Sequence, residues 1–192
     1  LVWVFTTVTL MKGQDGEDDF LIGIVQDISA QKSADIETLT GLYNRRYMMT
    51  RLKAEYERSV RSGSPFSLVL TDIDYFKTIN DSFGHDCGDE VLMGLSKVLM
   101  SAVRSVDVLC RWGGEEFLML LPDTDLNSAR IIADRLRTTV ESEVFGYDGN
   151  TCKVTMTFGV ATFSEALSIK ELIKLADQAL YKGKSNGRNT VV

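Results

Sequence analysis

Two acidic clusters sit where apolar runs end. Asp72-Ile73-Asp74 follows Leu68-Val69-Leu70, and Glu115-Glu116 follows the pair Gly113-Gly114. If the two runs are neighbouring strands, the carboxylates meet at one edge of a sheet and repel each other. A hard divalent cation relieves that repulsion, and Mg²⁺ typically takes one or two protein carboxylates and fills its shell with water and substrate phosphates. The plainer reading is solvated turn acids. From Asp72 the chain runs on to Lys77, a charge for phosphate, and then to Asn80 and Asp89. A carboxylate offers paired acceptors to the N1–H and 2-amino donors of guanine, which adenine does not supply, and an amide complements an acceptor edge. A pocket burying such a carboxylate rejects the wrong base, because the acid would be left unpaired. The ordinary alternatives are a charge near a helix N-terminus for Asp89 and turn residues for Asn80 and His85.

Alternating helices and strands must position these groups. Apolar periodicity predicts helices over 45–61, 86–102, 125–142 and 168–182, the last opening with Ser168 and Glu171 as a capping box. Strands are expected over 66–73, 107–112, 115–121 and 153–162, with a short one at 189–192; Val154, Met156, Phe158 and Val160 alternate at the period of a sheet with one buried face. Gly113-Gly114 reads as a two-residue hairpin whose glycines tolerate positive φ. Trp112 and Phe117 read as core residues. The expected architecture is an α/β (α+β) sandwich with at least one antiparallel pair. Before Thr40, residues 1–10 and 20–26 read as two strands joined by a Gly- and acid-rich turn, and residues 30–40 as a short helical linker.

The chain has 192 residues, 44% hydrophobic and 25% charged, enough for one domain with a full core. A net charge of −6 argues against a nucleic-acid surface. Cys87, Cys110 and Cys152 lack zinc-site spacing and read as reduced thiols of a cytoplasmic protein. No segment reaches the roughly 20 apolar residues a bilayer requires, so no membrane contact is expected in this fragment. It starts at Leu1 without a basic leader and reads as a piece of a longer protein, whose remaining N-terminal part could hold a membrane-tethered sensor.

Four motifs in order carry a resemblance: Leu39-Thr40-Gly41-Leu42-Tyr43-Asn44-Arg45-Arg46, Asp72 to Leu92, Arg111-Trp112-Gly113-Gly114-Glu115-Glu116-Phe117, and Leu180 to Asn189. Together they resemble the GGDEF diguanylate cyclases. The resemblance implies a central, mostly antiparallel sheet flanked by helices, similar to class III nucleotide cyclases and polymerase palms. It implies Mg²⁺-dependent condensation of two GTP molecules into cyclic di-GMP with release of two pyrophosphates, by a homodimer whose two sites face each other. Carried over by position, Asp72, the Ile73 carbonyl and Glu115 would hold Mg²⁺, for which Mn²⁺ can substitute, with Glu116 beside them. Glu115 would also be the group that takes the proton of the attacking hydroxyl, although water could serve instead. Asn80 and Asp89, with His85, would bind guanine. Tyr75, Phe76, Lys77, Lys184 and Arg188 would surround the phosphates, and Gly113 and Gly114 would leave room for the nucleotide.

Arg104-Ser105-Val106-Asp107 matches the family's RxxD site, where cyclic di-GMP inhibits its own synthesis, and Arg135 could close that site from the other side. Three positions depart from the usual pattern. Glu37 stands where Asp is usual, which lengthens the arm and could loosen linker coupling; Gly183 stands for Ala at a cost in helix stability; and Glu115 is the third signature letter, a variant active members admit. Gly23-Ile24-Val25-Gln26-Asp27-Ile28-Ser29 resembles the exit of a PAS domain, which divides the chain into a sensor hairpin (1–28), a linker (29–40) and a GGDEF domain (41–192). The competing readings are a catalytically silent cyclic di-GMP receptor, an enzyme with altered base choice, and a structural output module. The intact acids, the Asp89/Asn80 pair and the three basic residues speak against them in turn.

Overall fold

The computed structural model describes residues 4–11, 20–27, 34–148 and 150–192. The chain divides into two compact units, Leu1–Ile36 and Glu37–Val192. In the first, strands β1 (Val4–Met11) and β2 (Phe20–Asp27) pair antiparallel, with Leu10 opposite Leu21 and Val8 opposite Gly23. Val8, Leu21 and Val25 lie on one face of this ribbon and are exposed. The expected turn between the strands lies outside the described residues, as do residues 30–33 of the expected helical linker; residues 34–35 are helical. Its C-terminal part is no helix: Glu37 accepts from Leu39 N (3.1 Å), Thr40 N (2.9 Å) and Thr40 Oγ1 (2.6 Å), which closes a turn.

The second unit is built on a five-stranded sheet in the order β3-β5-β6-β4-β9. The strands are β3 (Tyr43–Asn44), β4 (Phe66–Ile73), β5 (Val108–Arg111), β6 (Glu116–Pro122) and β9 (Met156–Thr162). All pair antiparallel except β3 with β5. The helices are α1 (Arg45–Ser62), α2 (Phe76–Phe83), α3 (His85–Ala102), α4 (Leu126–Ser142) and α5 (Ile169–Ser185). Alternation along the strands sends Phe66, Leu68, Leu70, Leu118 and Leu120 to one face, where they meet Met48 and Leu52 of α1 and Leu172, Ala176 and Leu180 of α5. Val69, Ile73, Phe117, Met119 and Leu121 face the other way, onto Leu95 and Leu99 of α3 and Ala133 and Leu136 of α4. With both faces covered, β4 is buried at all eight residues. The mixed sandwich expected from periodicity is therefore present.

Asn44 caps α1 by accepting from Tyr47 N, Asp125 caps α4 by accepting from Ser128 N, and the Ser168/Glu171 capping box of α5 is formed. Gly159 of β9 is required by close approach: a Cβ there would meet the backbone of Ala176 and Leu180, so α5 lies directly on the strand. Three expectations need correction. The polar stretch after Asp74 contains a separate helix, α2. A small hairpin, β7 (Phe145–Tyr147) with β8 (Asn150–Cys152), packs its Phe145 ring against Gly94 of α3. The expected strand 189–192 is a single parallel bridge, Phe158 to Val191, supported by Val160 N donating to Val192 O at 2.9 Å.

Candidate active site

The acidic clusters meet because β4 and β6 are neighbours: Asp72 lies directly across from Glu116, and Ile73 N donates to Glu115 O at 3.3 Å. Asp72 is 5% exposed, while Glu115 and Glu116 are half-buried at the mouth of the turn. Burial pushes the Asp72 carboxyl up; the bond and charge of Lys184 oppose this, Asp74 adds to it, and the net direction is upward. Glu115 and Glu116 are likewise raised, first by burial and then by the Asp72 charge, with Lys184 opposing. Lys184 is the local counter-charge, its Nζ 2.8 Å from Asp72 Oδ2.

The turn itself differs from the expected two-residue hairpin. Four residues, Trp112 to Glu115, separate β5 from β6, closed by Trp112 N (2.8 Å) and Gly113 N (3.2 Å) donating to Glu116 O. Neither Gly113 nor Gly114 has a left-handed backbone. A Cβ on Gly113 would lie 2.7 Å from Glu116 Oε2, so a side chain there would push the Glu116 carboxylate aside. Gly114 has open space around it, and its carbonyl accepts from Arg111 Nη2 (2.7 Å) and Nε (3.1 Å). Arg111 also pairs with Glu37 (Nη1 to Oε1, 3.2 Å), which ties the entry turn to the end of β5. Burial alone would raise the Glu37 carboxyl, but the bonds from Thr40 and Leu39 and the Arg111 charge outweigh it and hold it below its usual value. Phe117 is core, whereas Trp112 is only partly buried and carries the Arg45 guanidinium 4.2 Å above its ring.

The base-reading candidates come together at the α2–α3 junction. Gly84, at φ 85°, ends one helix and starts the next. Asn80 Oδ1 lies where a Cβ on Gly88 would sit, so that glycine, which carried no separate role in the sequence reading, makes room for the amide. Asp89 follows Gly88, and His85 stands one turn before it on α3; both are exposed. Lys77 is exposed on the first turn of α2. Phe76 is 6% exposed, with Cζ against Gly88, so its side chain anchors α2 to the core and its backbone is what it can offer to a phosphate. From α5 and the turn after it come Lys184 and Arg188. Arg188 Nη1 lies 3.3 Å from Tyr75 Oη, with its guanidinium 4.4 Å from the Tyr75 ring centre.

Asp74 is a residue sequence reasoning grouped with the metal candidates and the structure removes from them. Its oxygens accept from Thr157 Oγ1 (2.6 Å), Thr155 Oγ1 (2.7 Å) and Asn189 N (3.0 Å). Asp72, Glu115 and Glu116 remain as hard oxygen donors, crowded and charge-strained, and this donor set fits a divalent cation. Among the described residues no three His, Cys, Asp or Glu side chains are close enough to cage an ion alone. The RxxD residues lie elsewhere, past the end of α3. Arg104 forks onto Asp107 (Nη2 to Oδ1, 2.8 Å) and bonds Thr124 Oγ1 (2.9 Å), while Arg135 Nη2 donates to Ala102 O (3.0 Å).

Known proteins share this arrangement. Residues 34–190 match the family model "Diguanylate cyclase, GGDEF domain". The response regulator PleD of Caulobacter vibrioides is 46% identical over 159 residues, which are 81% of this chain and 35% of PleD. This chain thus spans about a third of that relative. The diguanylate cyclase SiaD of Pseudomonas aeruginosa, solved with its activator SiaC, superposes with a TM-score of 0.82 at 37% identity over 86% of this chain and 64% of that one. The active GGEEF domain of a Vibrio cholerae diguanylate cyclase superposes at 0.72 with 36% identity, covering 77% of this chain and 94% of that one. GGEEF is also the spelling of Gly113 to Phe117 here. The family match over residues 34–190, with the identity to PleD over 159 residues, shows that this chain belongs to the GGDEF diguanylate cyclase family.

Proposed function

We propose that this chain is the catalytic domain of a diguanylate cyclase that condenses two GTP into cyclic di-GMP, with Mg²⁺ as the working cation. The observation that carries the reading is the convergence of Asp72, Glu115 and Glu116 with Lys184 at one edge of the sheet. In the reaction the 3′-oxygen of one GTP forms a bond to the α-phosphorus of the other, the bond to pyrophosphate breaks, and the step is repeated in the opposite direction. Asp72, the Ile73 carbonyl, Glu115 and Glu116 would hold the cation, which when bound neutralises phosphate charge and that of the leaving pyrophosphate. Lys77, Lys184 and Arg188 bind phosphate oxygens, helped by Tyr75 and the backbone at Phe76. Asn80 and Asp89, with His85 alongside, select guanine. Gly113 and Gly114 let the nucleotide lie against the turn. Glu115, its basicity raised by burial, is placed to take the proton of the attacking hydroxyl.

One chain holds one GTP, so the active species is a homodimer with two facing sites. Arg104, Asp107 and Arg135 form a second site, where the product inhibits: an Arg fork meets a guanine edge or phosphate, and Asp107 accepts from guanine. The ribbon at Val4–Asp27 is the closing hairpin of a PAS-like sensor whose dimerisation sets the distance between catalytic domains. The domain works in the cytoplasm, where GTP is available. Incubation with GTP and Mg²⁺ followed by nucleotide separation tests the reading, with Glu115→Gln as control. Cyclic di-GMP from the parent and none from the control supports it. No product at high protein concentration would instead favour a silent receptor using Arg104 and Asp107.

A further inference from the structure

Asp74 takes no part in the chemistry proposed above, yet it is 4% exposed with both carboxylate oxygens engaged. Its own N–H donates to Thr155 O at 2.9 Å, so it is tied to the segment entering β9 by backbone and side chain together. Its third bond reaches the turn after α5, at Asn189 N. The residue following Asp74 is Tyr75, and the residue preceding Asn189 is Arg188; these two neighbours touch, ring to guanidinium. Tyr75 (φ 58°), Arg188 (φ 65°) and Asn189 (φ 43°) all have left-handed backbones without being glycine. Such conformations are disfavoured for L-residues and persist where surrounding bonds over-determine them. On its outer side Asn189 is held by Arg137 Nη1 (3.1 Å, to Oδ1) and Glu141 Oε1 (2.9 Å, from Nδ2), both on α4.

We propose that Asp74 is a positioning residue for nucleotide binding: by clamping Asn189 it holds the left-handed turn that aims Arg188, over Tyr75, at the substrate phosphates. The inference rests on the reading of Arg188 as a phosphate ligand. A simple electrostatic role predicts the opposite sign. Asp74 adds negative charge beside Asp72, and removing it should by charge alone help a polyphosphate bind. A clamp predicts weaker binding on its removal, because an amide in its place loses acceptor capacity while Arg188 keeps its charge.

The experiment is a double-mutant cycle on affinity for a non-reacting GTP analogue with Mg²⁺, using Asp74→Asn, Arg188→Ala and their combination, each checked by thermal melting. Asp74→Asn should weaken the analogue about tenfold, as loss of a supporting partner typically does, and Arg188→Ala at least as much. The combination should bind no more than about twofold worse than Arg188→Ala alone. Thr157→Val, which removes one donor with little change of shape, should give a smaller loss that also vanishes without Arg188, and it serves if Asp74→Asn does not fold. If Asp74→Asn or Thr157→Val binds as tightly as the parent, or adds its full effect to Arg188→Ala, the positioning role is wrong. If Arg188→Ala alone binds normally, the phosphate reading fails and the inference with it.

Discussion

The ammonium of Lys184 lies 2.8 Å from Asp72 Oδ2, at the strand end where Glu115 and Glu116 also gather, so one α5 side chain balances an acidic edge built by two strands. Replacing it with Met leaves Asp72 almost fully buried beside Asp74 with only the weaker pull of Arg188, and its carboxyl should climb further. Lys184→Met is expected to cut cyclic di-GMP synthesis at least about tenfold, through lost phosphate charge. Added Mg²⁺ should raise the Tm of Lys184→Met by more than that of the parent, since the ion then becomes the main counter-charge. Steady-state turnover and thermal shift with and without Mg²⁺ check this, and unchanged turnover would remove Lys184 from the phosphate site.

The raised carboxyls predict a pH dependence whose sign is fixed. Glu115 is lifted from the ordinary value of 4.5, chiefly by burial, so between that value and its raised one the folded chain binds protons the unfolded chain has released. Stability of the metal-free protein contributed by this group therefore falls as pH rises through that window, and is fully retained below it. Glu115→Gln should raise Tm near pH 7.5 without raising it near pH 4, while abolishing product formation. The difference between variant and parent isolates the effect from lowered groups such as Glu37, which slope the other way. Calorimetry in a chelator across this range is the measurement, and equal Tm at both ends would contradict the electrostatics.

Gly183 shows what spacing alone does not tell. In sequence it looks like a weak point of a helix, where Ala would add about 1 kcal/mol. In the fold a Cβ at 183 would lie 2.6 Å from Thr157 Cγ2, and Thr157 is held in place by its bond to Asp74. Gly183→Ala should therefore destabilise the chain, the roughly 1–3 kcal/mol of overpacking exceeding the helix gain. It should also weaken GTP binding by disturbing Asp74. Denaturant unfolding decides the sign, and a more stable variant would show that Thr157 yields easily.

The strands β4, β5, β6 and β9 and four of the five helices of the catalytic unit were legible because each is strongly periodic, whereas the two-residue β3 and the short β7–β8 hairpin carry too few residues to show a period. The helix α2 was not: its N-cap is Tyr75, left-handed and without a side-chain cap bond, in a stretch rich in chemistry-bearing residues that hides the apolar spacing of Phe76, Ile79 and Phe83. The acids of the site could be named from sequence, because strand ends adjoin in any sheet that pairs these runs. What each glycine does could not. Gly88 makes room for Asn80 and Phe76, and Gly113 for the Glu116 carboxylate, and neither follows from a turn type. The role of Asp74 was hidden for the same reason, since Thr155, Thr157 and Asn189 lie more than 80 positions away and are brought to it by the register of β4 with β9 and by the bridge of Val191 to Phe158.

The proposed product site makes the last prediction, and its two arginines should behave differently. The Arg104 fork closes on Asp107, whose side chain is 2% exposed, and also holds Thr124 Oγ1 and Pro122 O, so it serves the loop before β5 as well as any ligand. Arg104→Ala should abolish product inhibition and lower stability by about 1 kcal/mol, because Asp107 loses the guanidinium but keeps the bond from the backbone N of residue 104 (2.8 Å), and Arg104 itself is half exposed. Arg135 is exposed, and its guanidinium donates to the Ala102 carbonyl. Arg135→Ala should weaken inhibition with little change in Tm, which makes it the cleaner test. Initial rates should stay at the parent level in both variants, while progress curves lose their early plateau and tolerate more added cyclic di-GMP. If inhibition by added product persists unchanged in both variants, the cluster at the end of α3 is an ion pair that pins a loop, and the product must act at the substrate site instead.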